Sequence, residues 1–192
     1  MSVQLSERIN RLEESATILM AKKARELASQ GVDVINLSLG EPDFTTPKHI
    51  LDATKVALDG AYTFYTPVAG YLDLRQAVAA KLKKENGLDY TADQIVVSTG
   101  AKQSLTNAVM ALVNPGEEVI IPTPYWVSYS EMVKLAEGES VFIPTTVESN
   151  FKITPAQLEA AITPKSKLFM FSSPCNPTGS VYTKEELAEL VK

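Results

Sequence analysis

The stretch "EEVIIPTPYWVSYSEMVKLAEGESVFIPT", Glu117–Thr145, decides the fold. It opens on "EEVIIP", a short run whose apolar residues do not alternate with polar ones, so both faces of that strand are buried. "PYWVSYSEMVKLAEG" follows with apolar residues at helical spacing, and a second apolar run, "SVFIPT", closes the unit. Strand, helix, strand with continuously apolar strands describes a parallel sheet covered on both sides.

The same alternation extends outward from this unit. Upstream, "QIVVST" (94–99) reads as a strand and "AKQSLTNAVMALV" (101–113) as a helix. Downstream, "TPAQLEAAI" is a helix, "KLFMFSS" (167–173) a strand and "TKEELAELVK" (183–192) the start of another helix, with Thr183 and Glu186 spaced as a capping box. Right-handed crossovers then give an α/β fold of three layers, helix on sheet on helix, with a mostly parallel sheet. Before it, residues 5 to 30 read as helical in two pieces stopped at Gly31. "DVINLSLG" (33–40) reads as a short strand and "EPDFTTP" as a turn-rich loop. Pro47 opens a helix running to about Asp59. "YTFYTPVAGY" is a loop, and Leu72 to Asn86 forms a helix ended by Gly87. The last helix stops at Lys192 with no turn and no partner strand, so the chain is expected to be the front part of a longer protein.

Composition narrows the function classes. The 192 residues carry 45% hydrophobic and 21% charged side chains and a formal net charge of −5, the profile of a soluble folded protein. The basic runs "AKKAR" and "KLKKEN" lie on amphipathic segments and read as solvated helix faces, so no nucleic-acid partner is expected. No apolar run reaches the roughly 20 residues that span a bilayer, and "MSVQLSERIN" lacks the apolar stretch of a signal peptide, so no membrane partner is expected and the cytoplasm is the expected compartment. The single cysteine, Cys175, excludes an internal disulfide and a cysteine-rich metal site. The single histidine, His49, falls inside a helix and leaves no Ser-His-Asp or Cys-His arrangement.

In an open parallel sheet, ligands bind outside the carboxyl ends of the strands. Four loops qualify, and each alone also reads as an ordinary turn. "STGAKQ", Ser98–Gln103, leaves a strand and enters a helix; the unpaired N–H groups there suit an anion, and Gly100 lets it approach the backbone. It is neither G-x-G-x-x-G nor a P-loop. "PTPYW", Pro122–Trp126, holds the only tryptophan, which can stack on a flat ring or pack into the core. "SSPCNPTG", Ser172–Gly179, sets Asn176 between two prolines that restrict the residues before them, so its amide can be aimed at a ligand or simply close a turn. "GEPDF", Gly40–Phe44, offers backbone at Gly40, with Glu41 and Asp43 as weak candidates for acid and base.

Taken in order, "SATILMAKKARELASQGVDVINLSLGEPDF", "YTPVAGYLDLR", "STGAKQSL", "PTPYWVSY" and "SSPCNPTG" resemble the fold-type I pyridoxal-phosphate enzymes, in particular the class I aminotransferases and bacterial aspartate aminotransferases. The resemblance implies residues 1–45 as an N-terminal helical segment and substrate loop belonging to a small mobile domain. It implies residues 46–192 as the N-terminal part of the large cofactor-binding domain. It implies pyridoxal 5'-phosphate as cofactor, held at its phosphate by the backbone of Gly100, Ala101 and Lys102. Trp126 would stack on the pyridine ring and touch substrate. Asn176 would donate to the ring's phenolate oxygen near the substrate carboxylate, and Gly40 would offer its backbone to that carboxylate. Tyr65 would reach the phosphate of the neighbouring subunit in a two-fold homodimer. The resemblance places the lysine that anchors the cofactor beyond residue 192, so no catalytic residue is expected within the chain and the chain alone is expected to be inactive. Aspartate is the expected amino donor and 2-oxoglutarate the expected acceptor, with aromatic, alanine or prephenate substrates as alternatives. A lyase or a decarboxylating transferase on the same fold, or a cofactor-binding regulatory domain, stays open.

Overall fold

The computed structural model describes residues 4–38 and 40–192. Its contacts divide the chain into two compact units, one formed by the residues up to Asn36 with Ser104–Lys192, the other by Leu37–Gln103.

The first unit begins with α1 (Glu7–Asn10) and α2 (Ala16–Ser29), the predicted pair of helices ending at Gly31. The second unit holds α3 (Lys48–Asp59), with Pro47 just before its first turn, and α4 (Leu72–Lys81), continued as a π-helical turn over Leu82–Asn86. Gly87 closes that turn in a left-handed conformation, as expected. α5 (Ala101–Leu112) starts in the second unit and belongs to the first from Ser104 onward. The first unit continues through β1 (Glu118–Thr123), α6 (Ser128–Leu135), β2 (Glu139–Pro144), α7 (Pro155–Ala161), β3 (Ser166–Phe169) and α8 (Lys184–Leu190).

The strands form a sheet of order β2-β1-β3, all parallel. β1 is central, and of the three strands it alone is fully buried on both sides: Val119, Ile120 and Ile121 are each at most 2% exposed. Alternation along the strand sends them to opposite layers. Val119 and Ile121 pack with Val109 and Val113 after α5's first turns and with Tyr129, Met132 and Val133 of α6. Ile120 packs on the other side with Ile143, Ile153 and Leu158 of α7, and with Leu190 of α8. Burying each such side chain contributes about 1.5–3 kcal/mol over leaving it exposed. This is the expected three-layer α/β/α arrangement. Pro122 is tolerated in the central strand because β1's register with β3 ends at Ile120.

Two expected strands are absent from the described residues. Residues 33–38 of "DVINLSLG" are irregular, and Leu39 lies outside the described residues. Ile95–Ser98 of "QIVVST" is extended but not a strand. Val97 donates its N–H to Ala69 O at 3.0 Å and no ladder follows. Apolar sequence makes a segment eligible for a sheet, but only a neighbouring strand with free N–H and C=O groups makes it a strand. α6 also starts later than the sequence suggests. Pro122 belongs to β1, Pro124 lies in a bend, Tyr125 and Trp126 are irregular, and the helix begins at Ser128.

Candidate functional site

The site assembles at the carboxyl ends of β1 and β3. These strands are neighbours, so the loops leaving them, "PTPYW" and "SSPCNPTG", lie side by side. The Cys175 thiol donates to Pro124 O at 3.6 Å, and Pro122, Pro124, Tyr125, Phe171, Ser172 and Cys175 line one cleft. Trp126 is half-buried and stands edge-to-face on Tyr129, ring centroids 5.6 Å apart and planes at 87°. Tyr125 stacks on Phe142 of β2 at 5.2 Å. The tryptophan is thus supported by the Tyr129 ring, anchored in α6, and its position is set by packing.

The "SSPCNPTG" loop is held by more than its prolines. Cys175 N–H donates to Ser180 O at 2.8 Å, and Gly179 N–H returns to Cys175 O at 2.7 Å, pinching the loop shut. Both serines before the prolines accept backbone protons: Ser172 Oγ from Asn176 N–H at 3.2 Å, and Ser173 Oγ from Tyr182 N–H at 3.0 Å. Ser180 is buried and donates to Asn150 O at 2.7 Å. Asn176 itself is exposed at the tip, its backbone fixed while its side chain faces outward. The sequence reading credited the prolines alone and missed the serines and Tyr182. The signal was there in two consecutive hydroxyls directly before Pro174, a usual place for side-chain-to-backbone bonds.

Tyr182 underlies the loop. Its hydroxyl oxygen accepts the buried Ile153 N–H at 2.9 Å, its ring meets Phe171 edge-on, and Lys152 Nζ lies 5.6 Å from the ring centre. Burial pushes the phenol pKa above its ordinary value, with the Ile153 bond acting against it. Lys152 in turn pairs with Glu186 at 2.8 Å, which holds the Glu186 carboxyl below the usual carboxylate range.

The remaining candidates lie in the second unit. Gly100 has φ +82°, a conformation that side chains disfavour, and a Cβ there would meet nothing within 4 Å. The chain therefore turns openly into the start of α5, and a helix start presents N–H groups. Thr99 N–H is satisfied locally by the Gln103 side chain. No acidic residue occupies the first turn and Lys102 does, so the donor set suits a phosphate. Tyr65 is fully exposed, and Gly40 is exposed in an irregular segment. Among the described residues no cluster of three or more His, Cys, Asp or Glu could hold a metal ion, and no helix is long and apolar enough to cross a membrane. The structure thus joins Trp126 and Asn176 within one unit and places Gly40, Tyr65, Gly100, Ala101 and Lys102 within the other.

A three-layer α/β/α unit with adjacent ligand loops at the strand ends is the architecture of the large domain of pyridoxal-phosphate transferases. The chain belongs to the aminotransferase class I and II family, whose model matches residues 32–192. It is 55% identical over 186 residues to a probable aspartate/prephenate aminotransferase of Rhizobium leguminosarum bv. phaseoli, covering 97% of this chain and 46% of that protein. It is 46% identical over 188 residues to the aspartate aminotransferase of Bacillus subtilis, covering 98% of this chain and 48% of that one. Among solved structures, the aspartate aminotransferase of Thermus thermophilus with maleate superposes with a TM-score of 0.94 at 46% identity, covering 98% of this chain and 50% of that chain. The chain spans about half the length of the relatives it matches.

Proposed function

We propose that the complete protein is a pyridoxal-phosphate-dependent aminotransferase that moves an amino group between an L-amino acid, aspartate first, and a 2-oxo acid, 2-oxoglutarate first. The observation that carries this reading is the adjacency of the two strand-end loops, with Trp126 propped on Tyr129 in one and Asn176 held at a pinned tip in the other. Family membership and the aspartate named in relatives support the same conclusion.

Bound pyridoxal phosphate supplies the electron sink that lets an amino acid lose its α-proton and exchange its nitrogen. The chain's own residues bind and orient. The N–H groups at Gly100–Lys102 receive the phosphate, with Lys102 adding positive charge to the same turn. Trp126 offers one face to the pyridine ring and limits how substrate approaches. The Asn176 amide donates toward the phenolate oxygen and orders the place where the substrate carboxylate binds, and Gly40 presents backbone to that carboxylate. Tyr65, exposed on its loop, serves the phosphate of the neighbouring subunit in a two-fold dimer. In this reading residues 1–45 move with the small domain, residues 46–192 stay with the large one, and the enzyme is cytoplasmic. Residues 1–192 alone are inactive, because the proton-transferring lysine lies outside them.

Prephenate is the second reading for the substrate, favoured by its place in the names of relatives more than half identical to this chain. A steady-state assay of the complete protein with aspartate, glutamate, alanine and aromatic donors, and with 2-oxoglutarate and prephenate as acceptors, separates these. Aspartate is expected to be preferred over alanine by about a hundredfold or more in kcat/KM, the discrimination available to a paired charge. Equal rates on alanine and aspartate would overturn the dicarboxylate assignment.

A further inference from the structure

Arg75 stands in the first turn of α4 and is the most enclosed of the ion-paired cations, its side chain 14% exposed. The carboxylate paired with it, Asp93 Oδ1, is 3.6 Å away and 95% exposed, so that pairing contributes little. The guanidinium spends its donors on backbone instead. Nε donates to Gly70 O at 3.1 Å, and Nη1 donates to Ala92 O at 2.8 Å. One side chain thereby ties the end of the 62–71 loop to the turn at 92–94, which leads into Ile95–Ser98.

The two tied segments meet again directly. Val97 N–H donates to Ala69 O at 3.0 Å. Gly70 has φ +92°, and a Cβ there would come within 2.8 Å of Val97 Cβ and Cγ2, so only glycine lets the segments close to this distance. Gly70 N–H closes a turn to Pro67 O at 2.8 Å. On one side of this junction, five residues upstream of Gly70, is Tyr65. On the other, three residues downstream of Val97, is Gly100.

We propose that Arg75 is a positioning residue for the cofactor phosphate: its guanidinium fixes the loop that carries Tyr65 against the segment that enters Gly100–Lys102. This rests on the aminotransferase reading and adds to it a residue that touches neither cofactor nor substrate. The planar fork is required, because a lysine ammonium is a single compact centre that cannot serve two carbonyls in this geometry. Loss of the guanidinium takes its donor from Gly70 O, leaves Ala92 O with the Ile95 N–H alone at 3.2 Å, and removes the side-chain tie between the two segments.

The test uses the complete apoenzyme with Arg75→Ala and Arg75→Lys, titrated separately with pyridoxal 5'-phosphate and with pyridoxal, which lacks the phosphate. Both variants are expected to bind pyridoxal 5'-phosphate about tenfold or more weakly, with pyridoxal affinity changed less than about twofold. Ethylguanidinium is expected to restore much of the loss in Arg75→Ala and none in Arg75→Lys. Amide exchange at Val97 is expected to quicken in both, and should Arg75→Ala not fold, Arg75→Lys carries the comparison. An equal loss for both ligands, or no loss for pyridoxal 5'-phosphate, overturns the inference while leaving the aminotransferase reading intact. A wild-type protein that binds pyridoxal 5'-phosphate no better than pyridoxal overturns both.

Discussion

At the scale of single residues, the reading turns on side chains whose aim is set by neighbours. Asn176 is exposed, so its replacement takes little from the core, and on the proposed reading it removes a donor to the cofactor. Asn176→Ala in the complete protein is expected to lower kcat/KM by about ten- to a hundredfold while moving the melting temperature by less than about 1 °C. Ser172→Ala is expected to cost less, about two- to fivefold, because it only loosens the Asn176 backbone N–H. Steady-state kinetics beside thermal melts checks both, and a large fall in stability for Asn176→Ala would show the residue to be structural. The stiff loop around Asn176 was legible in the sequence because it holds two prolines. Arg75 was not, since its partners are backbone carbonyls, and no spacing of side chains announces a bond to Gly70 O and Ala92 O.

At the scale of elements, β1 carries the fold. Ile121 is fully buried between α5 and α6, and Ile121→Ala is expected to cost about 2–5 kcal/mol in urea unfolding. The N-terminus of α8 depends on the capping box, in which Thr183 Oγ1 accepts Glu186 N–H at 3.1 Å while Glu186 Oε2 accepts Thr183 N–H at 2.7 Å. Thr183→Ala is expected to cost about 1 kcal/mol. Glu186, through its Lys152 bond, and Glu131 both titrate below the ordinary carboxylate value. For Glu131, burial opposes the shift, and the Glu13 N–H and Lys134 outweigh it. Both contribute stability that is fully present above the unfolded pKa of about 4.3 and is lost as pH falls through their lower folded values. Unfolding followed from pH 6 to pH 3 should therefore show Lys152→Met flattening the acid limb. An acid limb identical to wild type would remove that pair from the account. Within the 117–145 stretch, β1 was readable because burial on both sides forces a continuous apolar run. The segments 33–40 and 94–99 have the same composition, yet strand formation requires a partner, and the sequence of a strand does not contain its neighbour.

At the scale of the whole molecule, large apolar side chains remain uncovered. Leu37, Phe44, Tyr65 and Val68 are each more than 85% exposed, and the outer edges of β2 and β3 carry unpaired backbone among the described residues. Such surface and such edges favour association. Residues 1–192 in isolation are expected to sediment as concentration-dependent oligomers and to show no transamination, and a monodisperse monomer with activity would contradict this. The proposed dimer rests on the resemblance alone, because a fully exposed tyrosine does not say what will cover it.

The most direct test follows the bound cofactor's visible spectrum in the complete protein through one half-reaction at a time. Adding aspartate alone should convert the cofactor stoichiometrically to its aminated form with release of oxaloacetate, and adding 2-oxoglutarate alone should then restore the starting spectrum with release of glutamate. A protein whose spectrum is unmoved by aspartate, or that releases ammonia or carbon dioxide in place of a recoverable amino group, would contradict the account.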